Sequence, residues 1–120
     1  MASLLIVDDD PTLLDVLSEL FSGMEVHPAA SAEEALDRLS RGEYDVVVTD
    51  ISMPGMSGET LLGFIKTNSP ATPVIFISGS KDRDLAQRLR VKGAADFLSK
   101  PFDLAEIRRT VEQALESRRP

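Results

Sequence analysis

The 120-residue chain predicts an α/β domain with a parallel sheet covered by helices on both faces. Two observations carry that prediction. Short, mostly uninterrupted runs of Val, Ile, Leu and Phe recur at residues 4–7, 46–49, 74–77 and 94–98, as expected of strands shielded on both sides. Between them lie stretches whose apolar residues repeat every three to four positions, so strand and helix alternate along the chain. Strands joined through helices must run parallel, with right-handed crossovers.

The first run, Leu4-Leu5-Ile6-Val7, is followed by Asp8-Asp9-Asp10-Pro11. Asp10 is read as a helix cap, because a proline at the first helical position after an Asp is a start signal. Leu13, Leu14, Leu17, Leu20 and Phe21 then form the first helical stripe. A weaker run from Met24 to Ala29 contains His27 and Pro28, and a proline cannot donate to a ladder, so this strand belongs at an edge. Ser31 with Glu34 fits a capping box for a second helix carrying Ala35, Leu36 and Leu39, which Gly42 stops.

Val46-Val47-Val48-Thr49 leads into Asp50 and a loop, Ile51-Ser52-Met53-Pro54-Gly55-Met56-Ser57-Gly58, before a helix with Leu61, Leu62 and Ile65. Met53 and Met56 are expected to pack against that helix. Val74-Ile75-Phe76-Ile77 ends at Ser78, and a fourth helix carries Leu85, Ala86 and Leu89 before Gly93. The run Ala94-Ala95-Asp96-Phe97-Leu98 passes through Ser99 to Lys100-Pro101. Asp103 with Glu106 fits a capping box for a last helix using Leu104, Ile107, Val111, Ala114 and Leu115.

Composition narrows the possibilities. A chain this long with 42% hydrophobic residues suffices for one packed core, so residues 1–120 read as a single domain. The absence of cysteine excludes disulfides and thiolate metal sites. With neither a basic leader nor a long apolar stretch in view, the expectation is a soluble, cytoplasmic protein. A net charge of -7 disfavours nonspecific binding to nucleic-acid backbones. Basic residues gather locally at Lys81, Arg83, Arg88, Arg90 and Lys92, and at Arg108, Arg109, Arg118 and Arg119; solvated helix faces are the simpler account, a docking surface for an acidic partner the other. His27, the only histidine, cannot build a multi-histidine metal site and is given no function.

In an open α/β sheet, ligands bind outside the carboxyl ends of the strands. Asp8, Asp9 and Asp50 all stand at such ends, and carboxylates gathered there repel unless a cation or proton neutralises them. Magnesium suits so sparse a ligand set, since it keeps waters and takes one or two carboxylates plus phosphate oxygens. Asp50 can act as a nucleophile toward phosphorus, with the Lys100 ammonium and the Ser78 hydroxyl available to phosphate oxygens.

The segments Val7-Asp8-Asp9-Asp10, Thr49-Asp50 through Gly58, Ile77-Ser78-Gly79 and Lys100-Pro101-Phe102 occur in order over nearly the whole chain, and together they resemble the response-regulator receiver domain. The resemblance implies a doubly wound, flavodoxin-like (βα)5 three-layer sandwich of five parallel strands in the order 2-1-3-4-5. It implies that Asp50 accepts a phosphoryl group from a sensor histidine kinase or histidine phosphotransfer protein. Asp8, Asp9, Asp50 and the Ser52 backbone carbonyl would hold Mg2+, with Mn2+ as a substitute, and Lys100 and Ser78 would bind the phosphoryl group. Ser78 and Phe97 would form the switch that reshapes helix four, strand five and helix five toward an output domain or protein. The domain would be a phosphoacceptor rather than an enzyme, catalysing only its own phosphorylation and dephosphorylation. A phosphorylation-dependent homodimer is compatible with the family.

Two departures stand out. Thr110 replaces the arginine of the winged-helix transcription-factor subfamily, and Ala94-Ala95-Asp96-Phe97 keeps one of its paired aspartates, so that style of dimer is not expected. Ser52 and Ser80 stand where other members carry side chains that influence dephosphorylation. A rival reading takes Asp8-Asp9-Asp10-Pro11-Thr12 as the DxDxT signature of haloacid-dehalogenase-type phosphatases, with Asp8 as nucleophile. It needs a later acidic pair on a strand end, for which only Asp103 and Glu106 are available.

Overall fold

In the computed structural model of the chain, described for residues 1–53, 55–79 and 83–118 with the Arg118 side chain left aside, strand and helix alternate throughout. The strands are β1 (Ser3–Val7), β2 (Glu25–Ala29), β3 (Val46–Asp50), β4 (Val74–Ser78) and β5 (Asp96–Ser99). The helices are α1 (Pro11–Leu20), α2 (Ala32–Arg41), α3 (Gly58–Asn68), α4 (Arg83–Val91) and α5 (Leu104–Arg118). Pro54, Ser80, Lys81 and Arg119, and the side chain of Arg118, lie outside the described residues.

All strand pairs are parallel and the order is β2-β1-β3-β4-β5, the doubly wound, flavodoxin-like arrangement. The order reverses at β1, which pairs with β2 on one side and β3 on the other. Alternation along each strand divides the core. Leu4, Ile6, Val46, Val48, Ile75 and Ile77 pack with Leu14 and Leu17 of α1 and Ile107 and Val111 of α5. Leu5, Val7, Val47, Val74 and Phe76 pack with Ala35 of α2, Leu61, Leu62 and Ile65 of α3, and Leu89 of α4. No helix among the described residues is long and apolar enough to cross a membrane.

Local signals explain the element ends. The Asp10 carboxylate accepts the Thr12 N–H at 3.0 Å, with Pro11 opening α1. Ser31 Oγ accepts the Glu34 N–H at 3.1 Å, while the Glu34 carboxylate reaches the Ala30 N–H, one residue earlier than a reciprocal box would place it. Ser57 caps α3 by accepting from Thr60 N–H at 3.2 Å. At α5 the first turn closes through the backbone, with the Asp103 carbonyl accepting from Glu106 and Ile107. Pro28 does sit on an edge strand, because β2 pairs only with β1.

The last strand begins later than its apolar run suggests. Gly93, at φ 108, lets Ala94 N–H reach Leu89 O at 2.9 Å and Gly93 N–H reach Arg90 O at 3.0 Å, closing α4 in a Schellman turn. Ala94 is therefore spent on ending the helix, and β5 runs from Asp96 through Ser99. Gly42 ends α2 in extended backbone, without a left-handed turn.

Candidate functional site

The site stands at the carboxyl ends of β1 and β3, where the strand order reverses. Val7 pairs with Thr49, so the next residues along the two strands, Asp8 and Asp50, are neighbours. Asp8 N–H donates to the Ala29 carbonyl at 3.1 Å, which fixes the chain just past β1, and Asp8 is fully buried. One carboxylate oxygen, Oδ1, accepts the Asp10 N–H at 2.9 Å. Asp50 ends β3, is also buried, and accepts the Ser52 N–H at 3.2 Å. Asp9, between the end of β1 and the cap residue of α1, is exposed.

Lys100 reaches in from the far side of the sheet. Its backbone N–H donates to the Ser78 carbonyl at 2.7 Å, tying the end of β5 to the end of β4. Its Nζ is 2.9 Å from Asp8 Oδ2 and 3.2 Å from Asp50 Oδ2, so a single ammonium is shared by two carboxylates. Ser78, the last residue of β4, is buried beside this group. The expected constellation of Asp8, Asp50, Lys100 and Ser78 thus comes together at adjoining strand ends, with Asp9 at its open side.

Electrostatics give the cluster a direction. Burial pushes the Asp8 carboxyl above its ordinary value, as does the charge of Asp50; the Asp10 N–H and the Lys100 ammonium hold it down without cancelling the burial cost. Burial alone would lower Lys100, but its bond to Asp8 and the charges of Asp50 and Asp8 raise it above an ordinary lysine. Oxygen atoms of Asp8, Asp9 and Asp50 lie within 4.8 Å of one another. Three carboxylates against one ammonium leave an excess of negative charge, and an all-oxygen donor set with one exposed member fits a hard divalent cation that keeps part of its water shell.

Phe97 is set apart from these groups. It pairs with Phe76 across the sheet, is half-buried, and packs on the α2, α3 and α4 side of the core. Met53 is half-buried against the same cluster, which includes Leu61 and Leu62 of α3. His27 packs at the sheet edge: its Nδ1 is 2.6 Å from the Tyr44 hydroxyl and the two rings meet edge-on. Those residues line a surface cavity of about 480 Å³ with Glu25 and Arg38, which contains none of the aspartates at the strand ends. Thr110 is buried and donates back to the Glu106 carbonyl, so it presents no polar group at the α5 surface.

Two neighbours of the site lie outside the residues that the sequence assigns a role in it. Gly58, the first residue of α3, lies so close to β3 that a Cβ there would stand 2.7 Å from the Asp50 carbonyl oxygen and 3.0 Å from Ile51 Cα. Glu59, next along, pairs with Arg88 of α4 at 3.0 Å and with Lys92 just beyond α4. The glycine could be suspected from its place at a loop-to-helix junction. The ion pairs join residues 29 and 33 positions apart and leave no local signal.

A sequence model of the response regulator receiver domain matches residues 4–112. The chain is 41% identical over 104 residues to the response regulator protein FleR of Pseudomonas aeruginosa, covering 85% of this chain and 22% of that protein. It is 39% identical over 116 residues to the sensor kinase CckA of Brucella abortus, covering 94% of this chain and 12% of that one. The chain therefore spans only a minor part of the curated relatives it matches. The solution structure of the beryllofluoride-activated NtrC4 receiver domain dimer superposes with a TM-score of 0.93 at 33% identity, over 99% of this chain and 100% of that one. Sequence match, strand order and the gathered aspartates agree, and the chain belongs to the response-regulator receiver domain family.

Proposed function

We propose that residues 1–120 form one cytoplasmic receiver domain in which Asp50 accepts a phosphoryl group from a phosphohistidine on a sensor kinase or histidine phosphotransfer protein. The observation that carries this reading is the Lys100 ammonium shared between buried Asp8 and Asp50, beside exposed Asp9. In the transfer, an Asp50 carboxylate oxygen forms a bond to phosphorus while the phosphorus–nitrogen bond to the donor imidazole breaks, and the imidazole nitrogen takes up a proton. Asp8, Asp9, Asp50 and the Ser52 carbonyl would hold Mg2+, or Mn2+ in its place, and the ion supplies charge neutralisation for the phosphoryl oxygens.

The chain's own residues do the positioning. Ser52 N–H holds one Asp50 oxygen at 3.2 Å, which leaves the oxygen now facing Lys100 to meet phosphorus. Lys100 can turn from Asp50 to a phosphoryl oxygen while keeping Asp8, and Ser78 offers its hydroxyl to another. Transfer of this kind is governed by placement and electrostatics, so the same groups also serve hydrolysis of the aspartyl phosphate, and the domain is no enzyme toward other substrates. Engagement of Ser78 would couple to Phe97 and reshape the α4, β5 and α5 surface that faces an output domain or partner, in the manner of a biased two-state equilibrium. A homodimer formed on phosphorylation is in keeping with the dimeric NtrC4 receiver.

Intact mass after incubation with a small phosphodonor and Mg2+ tests this. The wild-type chain is expected to gain one phosphoryl adduct that needs magnesium and is absent in Asp50→Asn. An adduct that survives Asp50→Asn and disappears in Asp8→Asn would transfer the role to Asp8 and overturn the assignment. A chain that stays unmodified with the small donor is then assayed for transfer from phosphorylated histidine kinases.

A further inference from the structure

Helix α4 buries the fewest residues of the five helices. It fully buries only Leu89, with Leu85 half-buried, whereas Val91 is 77% exposed. Helix α3, by contrast, buries Gly58, Leu61, Leu62 and Ile65. A helix with so little apolar surface in the core is the kind that opens locally at small free-energy cost. Among the described residues, a tie to the neighbouring helix runs through Glu59, which accepts from Arg88 Nη2 at 3.0 Å and from Lys92 Nζ, two cations one helical turn apart. The Lys92 and Arg88 bonds hold Glu59 below the ordinary glutamate range.

The other end of this link is the acceptor strand. Gly58 N–H donates to the Ile51 carbonyl at 3.1 Å, and its Cα abuts the Asp50 carbonyl too closely for any side chain. The start of α3 therefore cannot shift without disturbing the backbone at Asp50, and Glu59 moves with it. We propose that Glu59 is a positioning residue that clamps α4 to the start of α3, so that the freedom of α4 to leave the sheet is set by the segment that carries Asp50. Its meaning for signalling rests on the proposed function; the clamp itself does not.

Amide hydrogen exchange of the full chain, without phosphodonor or magnesium, decides it. In Glu59→Gln, which keeps shape and removes charge, amides of residues 85–91 are expected to exchange about fivefold faster, the size for two partly exposed ion pairs. β4 and α5 should be unchanged. Adding Arg88→Gln and Lys92→Gln to Glu59→Gln should give no further acceleration, and added salt should speed α4 exchange in wild type but not in Glu59→Gln. Unaltered α4 exchange in Glu59→Gln, an additive effect of the cation substitutions, or acceleration spread evenly over β4 and α5 would each overturn the clamp. Because no phosphoryl group is present, loss of the clamp and loss of the phosphoacceptor assignment are read in separate experiments.

Discussion

Replacing Gly58 with alanine tests how tightly α3 is set against the end of β3. The added Cβ would lie 2.7 Å from the Asp50 carbonyl oxygen, 3.0 Å from Ile51 Cα and 3.1 Å from Phe76 Cε1. None of these can swing aside: two are backbone, and the Phe76 ring is fully buried in the core. Relief requires the helix start to back away, which strains the Gly58 N–H to Ile51 carbonyl bond. Overpacking of a tight site costs typically about 1–3 kcal/mol, and with rigid neighbours on every side the upper end, about 3 kcal/mol, is expected.

The same helix supplies its control. Gly63 is exposed, with nothing within 4 Å of a Cβ built there. Gly63→Ala should stabilise the fold by about 0.5–1 kcal/mol through helix propensity and the smaller entropy of the unfolded chain. Urea unfolding of both variants should give midpoints on opposite sides of wild type with equal slopes, and in thermal melts Gly58→Ala should fall by roughly 10 °C. A Gly58→Ala protein as stable as wild type, or as stable as Gly63→Ala, would refute the close packing of α3 on Asp50.

Two further outcomes follow from the charges at the site. The Asp8 carboxyl keeps its proton to a higher pH in the folded chain than an ordinary aspartate, so its burial costs stability as pH rises from the ordinary aspartate range through the raised value, and the cost is complete above it. Asp8→Asn should therefore be more stable than wild type at pH 7 in metal-free buffer, with the advantage shrinking as pH falls toward 4; urea titrations across that range check it, and a pH-independent difference would count against it. Lys100→Met should lower stability by about 2 kcal/mol, less than the roughly 3–5 kcal/mol of a fully buried broken pair because the lysine keeps 29% of its side-chain surface. Chemical denaturation at pH 7 measures this, and a neutral outcome would show that Asp8 and Asp50 do not depend on the ammonium.

Much of this architecture is legible from local pattern. Val46-Val47-Val48 and Val74-Ile75-Phe76-Ile77 are apolar on both faces because both faces are covered, and Pro28 marks its strand as an edge. Strand order is another matter: nothing in the runs themselves says that β1 lies between β2 and β3, and the order was available only through resemblance to a family. The start of β5 is hidden because Ala94 and Ala95 suit a strand as well as a turn, and the Schellman closure at Gly93 decides between them. Phe97 and Leu98 are consecutive apolar residues, so period-two alternation cannot say which faces where; Leu98 joins the α1 and α5 side and Phe97 the other. The aspartates were visible because they stand at the ends of apolar runs, whereas Gly58 and Glu59 matter through contacts that only the folded chain creates.

The cluster at the end of β1 and β3 is best understood as a stability cost kept in place by its surroundings. Apolar residues at Asp8 and Asp50 would continue the core of Ile6 and Val48 at lower desolvation cost, since buried ion pairs seldom outperform packed hydrocarbon. What fixes the carboxylates instead is backbone: the Asp10 N–H on Asp8 and the Ser52 N–H on Asp50, each two residues along from the carboxylate it holds. Those bonds orient the acids but leave their combined charge unbalanced, with Lys100 at 2.9 and 3.2 Å unable to neutralise both. Local rules of burial are thus broken at one point of an otherwise consistent fold, and a point of that kind is where function is expected. Because the imbalance is negative, a bound cation would reduce the cost of burial, and the one ammonium of Lys100 leaves that cost only partly offset without it.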